Sequence, residues 1–284
     1  MNRHDIHIHP SVGITRSVIA VIDDLEHCLN RPEEMETNIH RMRVNIKRLR
    51  AWIRLVRNHS GKEEWQVMDH GLRDMAKQLS ACRDVQIVPV TLGWLIERTR
   101  NKVTQAAISR VDSYMQSDSC GQLFNWKKIN LLDKKVLKML KRKTLLSCSD
   151  EVIRKGLQRT YKRTLKYGLQ ACTPEESFSE LHRLRKWVKY LYYQLEFIEL
   201  LYADEYKKIH RQLDMLGKEL GKIHDLELVM HRFQHFSGTA DCTNDIKIAG
   251  MAGDKEINRL SKHARRSFGK IFTLKPREFV AGLR

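Results

Sequence analysis

Between His40 and Arg57 the chain carries His40, Arg43, Lys47, Arg50 and Arg54 without a single carboxylate among them. At about 100° per residue these five fall within about 80° of one another on a helix. Met42, Ile46, Leu49, Ile53 and Val56 lie on the other side, so one face is apolar and the other cationic. Three further stretches repeat the design. Lys155, Arg159, Lys162, Arg163 and Lys166 share a face opposite Leu157, Tyr161 and Leu165. His182, Arg185 and Lys189 stand opposite Leu184, Val188, Leu191 and Leu195, and Arg259, Lys262, His263, Arg266 and Lys270 opposite Ile257, Ala264, Phe268 and Ile271. The chemistry such faces can do is the binding of oxyanions. Arginine offers a planar fork that engages two oxygens, lysine a mobile point charge, and histidine a proton it gains more readily beside an anion.

A solvated helix face usually mixes signs, because opposite charges at i,i+4 help it and like charges cost a few tenths of a kcal/mol. Four one-sided cationic stripes on separate helices therefore point to convergence on one groove. The whole chain agrees: 52 Lys plus Arg against 34 Asp plus Glu leave a net charge of +18. Such an excess repels itself and is relieved by a polyanion, so polyphosphate, nucleic acid and anionic membrane are the partner classes to separate. Binding that releases condensed counterions weakens steeply with salt.

These stripes need helices to hold them. At 42% hydrophobic and 30% charged the chain has the composition of a folded domain, and its spacing of apolar residues is three and four nearly throughout. The expected fold class is all-α. Helices are read at Ile14–Leu29, from Pro32 through Arg57, and at about Glu63–Cys82, Asp84–Thr99, Val103–Met115, Trp126–Lys143 and Glu151–Ala171. After Thr173 and Pro174 the pattern restarts at Glu175–Tyr202, Glu205–Leu220, Asp225–His235 and Lys255–Phe272, with breaks near Ser117–Gly121 and Gly238–Asn244. His40 and His182 open similar segments 142 residues apart, and Asp84 and Asp225 sit in similar segments 141 apart. Two landmarks displaced almost equally imply an internal repeat, with repeat 1 over 13–172, repeat 2 over 173–284 and a flexible N-terminus over 1–12. Asp84 and Asp225 are read as helix N-caps or as partners that orient cations.

The helix reading His40, Arg43, Lys47, Arg50, followed by the segment Leu79 to Asp84 and repeated at His182, Arg185, Lys189 and Asp225, resembles the CHAD family, the conserved-histidine α-helical domain. The resemblance covers nearly the whole chain. It implies two pseudo-symmetric four-helix units packed as one compact helical bundle, a central basic groove, and binding of inorganic polyphosphate without hydrolysis. Tyr192 stands where the family pattern has a basic residue.

No strand carries alternating Glu and Lys and no phosphate-binding glycine loop precedes a Lys, so the machinery of triphosphate hydrolysis or nucleotide phosphoryl transfer is missing from the sequence and no enzyme is expected. Asp5, His7 and His9 could chelate a metal, but a short polar N-terminus is read as flexible, and neither a metal site nor a cofactor is expected. The six cysteines lie far apart with no C-x-x-C pair, which fits a reducing cytoplasm. No apolar run is long enough to span a bilayer, and the N-terminus lacks the apolar stretch of a signal peptide. Polyphosphate granules are the location its ligand would imply, and sulfate or phosphate ions are the expected occupants of the groove in crystals. The alternative partner is RNA or DNA. Against it, Trp52, Trp65, Trp94, Trp126 and Trp187 sit mostly at core spacing and not among the cations as base-stacking platforms would.

Overall fold

The apolar periodicity becomes ten α-helices in the computed structural model, which describes residues 10–31, 34–58, 62–117, 126–144, 149–173, 178–198, 205–234 and 240–281. They are α1 (Pro10–Leu29), α2 (Met35–Val56), α3 (Lys62–Arg98), α4 (Lys102–Ser117), α5 (Trp126–Thr144), α6 (Asp150–Gln170), α7 (Phe178–Ile198), α8 (Glu205–Gln234), α9 (Ala240–Ile271) and α10 (Pro276–Ala281). No strand occurs among the described residues. Local signals set several starts. Pro10 opens α1, where its missing N–H costs nothing. Ser149 caps α6 by accepting from the Val152 N–H at 3.4 Å, with Asp150 and Glu151 in the positive first turn. Asn101 accepts from the Thr104 N–H at 3.1 Å and caps α4.

Two expected breaks are absent. α3 runs unbroken through 82–84 and past Pro89, and α8 runs unbroken through 220–225. Asp84 and Asp225 are therefore interior helix residues, and the N-cap reading of both is corrected. Apolar packing on both sides of each position decides the matter: Leu79, Val88, Leu92 and Leu95 in α3, and Leu220, Ile223, Leu226 and Val229 in α8, are all buried. A single proline forfeits one backbone hydrogen bond, which a helix embedded in a core on both sides of it absorbs. α9 starts at Ala240 and not near Lys255, and α10 had no counterpart in the sequence reading. The break expected at Ser117–Gly121 lies, after Ser117 itself, outside the described residues.

The chain divides into two compact units. Unit 1 takes Met1–Lys77, Asn125–Asp214 and Ile271–Arg284, and unit 2 takes Gln78–Phe124 and Met215–Lys270. Each unit thus draws helices from both halves of the sequence, and α3 and α8 both contribute to both. The division does not follow the repeat boundary near 172.

In unit 1, α2 is the central helix. Ala51, Trp52, Ile53, Leu55 and Val56 are all fully buried, so its last two turns are covered nearly all round, with α6 and α7 against them. A helix that is apolar on every side has to be enclosed. Gly156 shows how closely α6 approaches: a Cβ there would stand 2.1 Å from the Leu55 carbonyl oxygen. α7 is tied to α2 by Gln194, whose amide donates to the Ala51 carbonyl at 2.9 Å, and by an Arg48–Glu196 pair that includes an Nε–Oε2 bond of 3.0 Å. α10 closes unit 1, its Phe279 stacked on Tyr161 with ring centres 4.2 Å apart.

Unit 2 is built from the second part of α3, α4, the second part of α8, and α9 up to Lys270. Ile108, Val111, Leu216, Leu260, Ala264 and Phe268 belong to its core. Its helices are latched by Arg110 and Asp245 through two hydrogen bonds of 2.7 and 2.6 Å.

Candidate functional site

The burial of α2's C-terminal half determines what its cations do. Arg50 and Arg54 do not stand on an open face; their side chains are only 16% and 11% exposed, and both reach Asp69 on α3, at 2.8 Å and 3.3 Å. The expectation of an uninterrupted cationic surface along α2 is corrected here, because a carboxylate supplied by another helix lies against it. Burial alone would raise the Asp69 pKa; the Arg50 hydrogen bond and the charges of Arg54, Arg50 and Arg57 outweigh it and hold the carboxyl below its ordinary 3.8.

One carboxylate does not neutralise what surrounds it. Burial first, and then the charges of Arg54, Arg163 and Arg159, push the Arg57 guanidinium below its usual range, with Asp69 pulling the other way. Lys186 on α7 is lowered as well, by partial burial and by Arg54, Arg50 and Arg73, although solvent still reaches its side chain. Burial is the larger cause of both shifts, and the neighbouring guanidinia add to it. Arg50, Arg54, Arg57, Arg73, Arg159, Arg163 and Lys186, drawn from α2, α3, α6 and α7, thus gather around Asp69, leaving a strongly positive cluster within unit 1.

An aromatic floor supports it. The Arg54 guanidinium lies 4.4 Å from the Tyr190 ring centre and 5.9 Å from that of Trp187, and Arg163 approaches Trp187 at 5.1 Å. Trp187 and Tyr190 belong to a buried set with Ala51 and Tyr193. Cation–π contact fixes both guanidinia, and leaves the edge of the exposed Arg163 available to an anion. The Tyr193 phenol, pushed up to about 12 by burial and by Glu196, remains neutral.

The remaining predicted residues are distributed as follows. His40 is exposed at the start of the α2 stripe, and Arg43 and Lys47, half-buried, already interact with neighbours. On α6, Lys162 and Lys166 are exposed, Lys155 pairs with Glu151, and Arg159, its pKa lowered by burial, donates to the Leu55 carbonyl at 3.2 Å. On α7, His182 is exposed, Arg185 is half-buried, and Lys189 stands 3.8 Å from Asp214 and 4.9 Å from the Tyr192 ring centre. Tyr192 itself stacks on His210 at 4.4 Å. The α9 set belongs to unit 2, where Arg259 is paired with Glu256 and His263 with Glu219, while Lys262, Arg266 and Lys270 are exposed. The cations brought together in the cluster are therefore Arg50 and Arg54 with Arg159 and Arg163, from two of the four stripes. α7 adds Lys186, a residue off its predicted stripe.

Arg57, Arg73, Lys186 and Asp69 were missed by the sequence reading. Arg57 continues the α2 stripe and was available from register. Arg73 and Lys186 carry no local signal, since only the packing of α3 and α7 against α2 aims them at Asp69. Two tryptophans also depart from the core-only reading: Trp187 contacts Arg54 and Arg163, and Trp94 in unit 2 contacts Arg98 and Lys222 at 5.3 and 4.8 Å. Trp52 and Trp65 are core residues as expected. The side chain of Trp126 and the metal candidates Asp5, His7 and His9 lie outside the described residues. Among the described residues no group of three or more His, Cys, Asp or Glu could hold a metal ion, and no helix is long and apolar enough to cross a membrane.

Comparison with known proteins places this architecture. Among solved structures, the CHAD domain from the plant Ricinus communis is similar at a TM-score of 0.56 and 17% identity, over 96% of this chain and 91% of that one. PptA from Streptomyces chartreusis is similar at a TM-score of 0.59 and 11% identity, over 93% of this chain and 99% of that one. At such identities the likeness speaks for the fold. No curated protein matches this chain. The family model described as CHAD domain matches residues 19–234, which take in every helix of the cationic cluster, and the chain therefore belongs to the CHAD domain family.

Proposed function

We propose that this protein binds inorganic polyphosphate, holding the chain in a groove lined by Lys, Arg and His without cleaving it. The observation that carries the reading is the cluster of seven cations about Asp69, in which burial first, and then the charge of neighbouring guanidinia, disfavours the charged forms of Arg57 and Lys186 in the free protein. A linear array of phosphates relieves that repulsion, and helices fix the guanidinia before the ligand arrives, so little side-chain entropy is lost on binding. Lys162 and Lys166, exposed on α6 beyond Arg163, extend the track for further phosphates. CHAD domains are linked to polyphosphate, which favours this ligand among polyanions.

The absence of catalysis is part of the proposal. A hydrolase needs a base to activate water, and Asp69 is held ionised by two guanidinia whose charge makes it a poor proton acceptor. RNA binding is the rival. Stacking of bases requires open aromatic faces, whereas Trp187 is 8% exposed and Tyr190 5%, and their rings are already occupied by guanidinia. The test is competition at about 0.15 M salt, where screening is physiological: long-chain polyphosphate is expected to displace labelled single-stranded RNA at equal phosphate concentration. Displacement of polyphosphate by RNA under the same conditions overturns the assignment.

A further inference from the structure

Unit 2 contains a cleft of about 940 Å³ between the end of α3, the connector into α4, and one face of α9. Its α9 wall changes character along its length. Ile248, Met251 and Ala252 form an apolar end, and Lys255, Glu256 and Arg259 a charged one. From residue 248 to 259 the helix rises about 16 Å, roughly the length of an extended nucleoside triphosphate.

The charged end is arranged around one carboxylate. Glu256, 12% exposed, accepts from Arg259 at 2.8 and 2.6 Å and from the Arg98 Nε at 3.0 Å. Two guanidinia on a single carboxylate leave one positive charge in excess. Arg98 spends only its Nε on that contact and is steadied over the Trp94 ring at 5.3 Å, which leaves its outer nitrogens for another acceptor. Arg100 and Lys255, also lining the cleft, are exposed and make no ion pair among the described residues. Glu97 is the other acid of the lining, so four cations face two carboxylates. At the opposite end Met251, 66% exposed, offers its thioether to the cleft beside Ile248. Thioether contact with aromatic rings is favourable and tolerant of ring type.

We propose that this cleft binds an organic phosphate of nucleotide size, with a planar aromatic base against Ile248 and Met251 and the phosphates toward Arg98, Arg100 and Lys255. Thr99, Asn101 and Thr104 line the middle and supply hydroxyl and amide groups suited to a sugar. Pockets of this volume hold drug-sized ligands on apolar walls with a few fixed polar groups. The site is separate from the polyphosphate cluster and does not depend on that assignment.

The experiment uses the full chain and ATP as probe, followed by calorimetry. Two variants are compared: Arg100→Glu with Lys255→Glu, which reverses charge in the cleft, and Arg57→Gln with Arg163→Gln and Lys186→Gln, which depletes the unit 1 cluster. One ATP per chain is expected. The cleft variant should lose at least tenfold in ATP affinity while keeping polyphosphate affinity, and the cluster variant should do the reverse. Met251→Gln, which removes the apolar surface without adding charge, should weaken ATP without weakening inorganic tripolyphosphate. The proposal is overturned if ATP does not bind, if only the cluster variant loses ATP, or if decanoate binds the cleft and ATP does not. All substituted positions in the cleft are exposed, and a cooperative thermal transition no lower than the parent's confirms that each variant is folded.

Discussion

Replacing Arg57, Arg163 and Lys186 together by Gln removes three cations of the cluster that make no ion pair among the described residues, and should move stability and binding in opposite directions. In the free protein these groups repel their neighbours. For unit charges ~8 Å apart at a partly solvated site, each like pair costs roughly 0.5 to 2 kcal/mol. Gln retains most of the side-chain packing and drops the charge, so the variant should unfold at equal or higher denaturant concentration than the parent, with an unchanged m-value. Binding should fall. A charge-assisted hydrogen bond to phosphate contributes about 1.5 to 3 kcal/mol when desolvated, and partial exposure reduces this to ~1.4 kcal/mol, or tenfold, per cation. The triple variant is therefore expected to bind polyphosphate some hundred- to thousandfold more weakly. The slope of log K against log salt should flatten by about 2, at ~0.7 for each phosphate that the variant no longer neutralises on a single-stranded polyanion. Calorimetry with chains of defined length at several salt concentrations measures both quantities. Unchanged affinity and slope would show that the polymer lies elsewhere, and marked destabilisation would show that these cations hold the fold together.

Asp69→Asn strands Arg50 and Arg54 beside an uncharged partner and should cost about 3 to 5 kcal/mol in urea unfolding, the usual effect of breaking a buried pair from one side; saturating polyphosphate should restore more stability to this variant than to the parent. Because the folded Asp69 pKa is lowered, its contribution is present above the unfolded value near 3.8 and is lost as pH falls through the folded one, so the acid limb of the parent's stability curve should flatten in Asp69→Asn. Lys186 has the opposite linkage: its charged form is disfavoured in the fold, and an anion beside it restores the proton. Polyphosphate binding at alkaline pH below 10.5 should be accompanied by proton uptake, seen as buffer-dependent calorimetric enthalpy and diminished in Lys186→Gln. Gly156→Ala drives a methyl to 2.1 Å from the Leu55 carbonyl oxygen, a backbone atom that cannot turn aside, and should cost about 3 kcal/mol or more in thermal or urea unfolding.

The all-α class and most helix positions were legible because apolar residues recur at three and four throughout, and a buried stripe is a local property of a helix. The long helices were misjudged for the same reason. Asp84 and Asp225 read locally as starts, while buried residues on either side of each, visible only once packed, carry α3 and α8 through. The site divides along this line. Arg50, Arg54, Arg159 and Arg163 lie on stripes that one-sided periodicity marks. Asp69, Arg73 and Lys186 do not, since their place in the cluster exists only where α3 and α7 meet α2. The last turns of α2 show a further limit: Ala51, Trp52 and Leu55 make it apolar around most of its circumference, and that pattern, weighed above the cationic stripe, would have foretold that Arg50 and Arg54 are enclosed.

Enclosure also explains why a carboxylate sits amid so much positive charge. Arg50 and Arg54 are too deeply placed to be solvated by water alone, and a buried, unpartnered guanidinium is costly. Asp69 meets that need for the two innermost cations and, being a single charge, offsets only part of the charge of the outer Arg57, Arg73, Arg163 and Lys186, none of which makes an ion pair among the described residues. A second acid would stabilise the free protein further and repel an incoming phosphate; none at all would leave α2 held against α3 by cations alone. The arrangement thus separates two tasks that arginine performs here. Arg50 and Arg54, held by Asp69, with Arg54 also over the Trp187 and Tyr190 rings, tie α2 to α3 and α7, and the outer cations keep the charge that the proposed polyanion would meet. Reversing the assignment, by exchanging an outer cation for Glu, should raise the urea midpoint and weaken polyphosphate binding about a hundredfold in calorimetry, twice the per-cation loss in free energy.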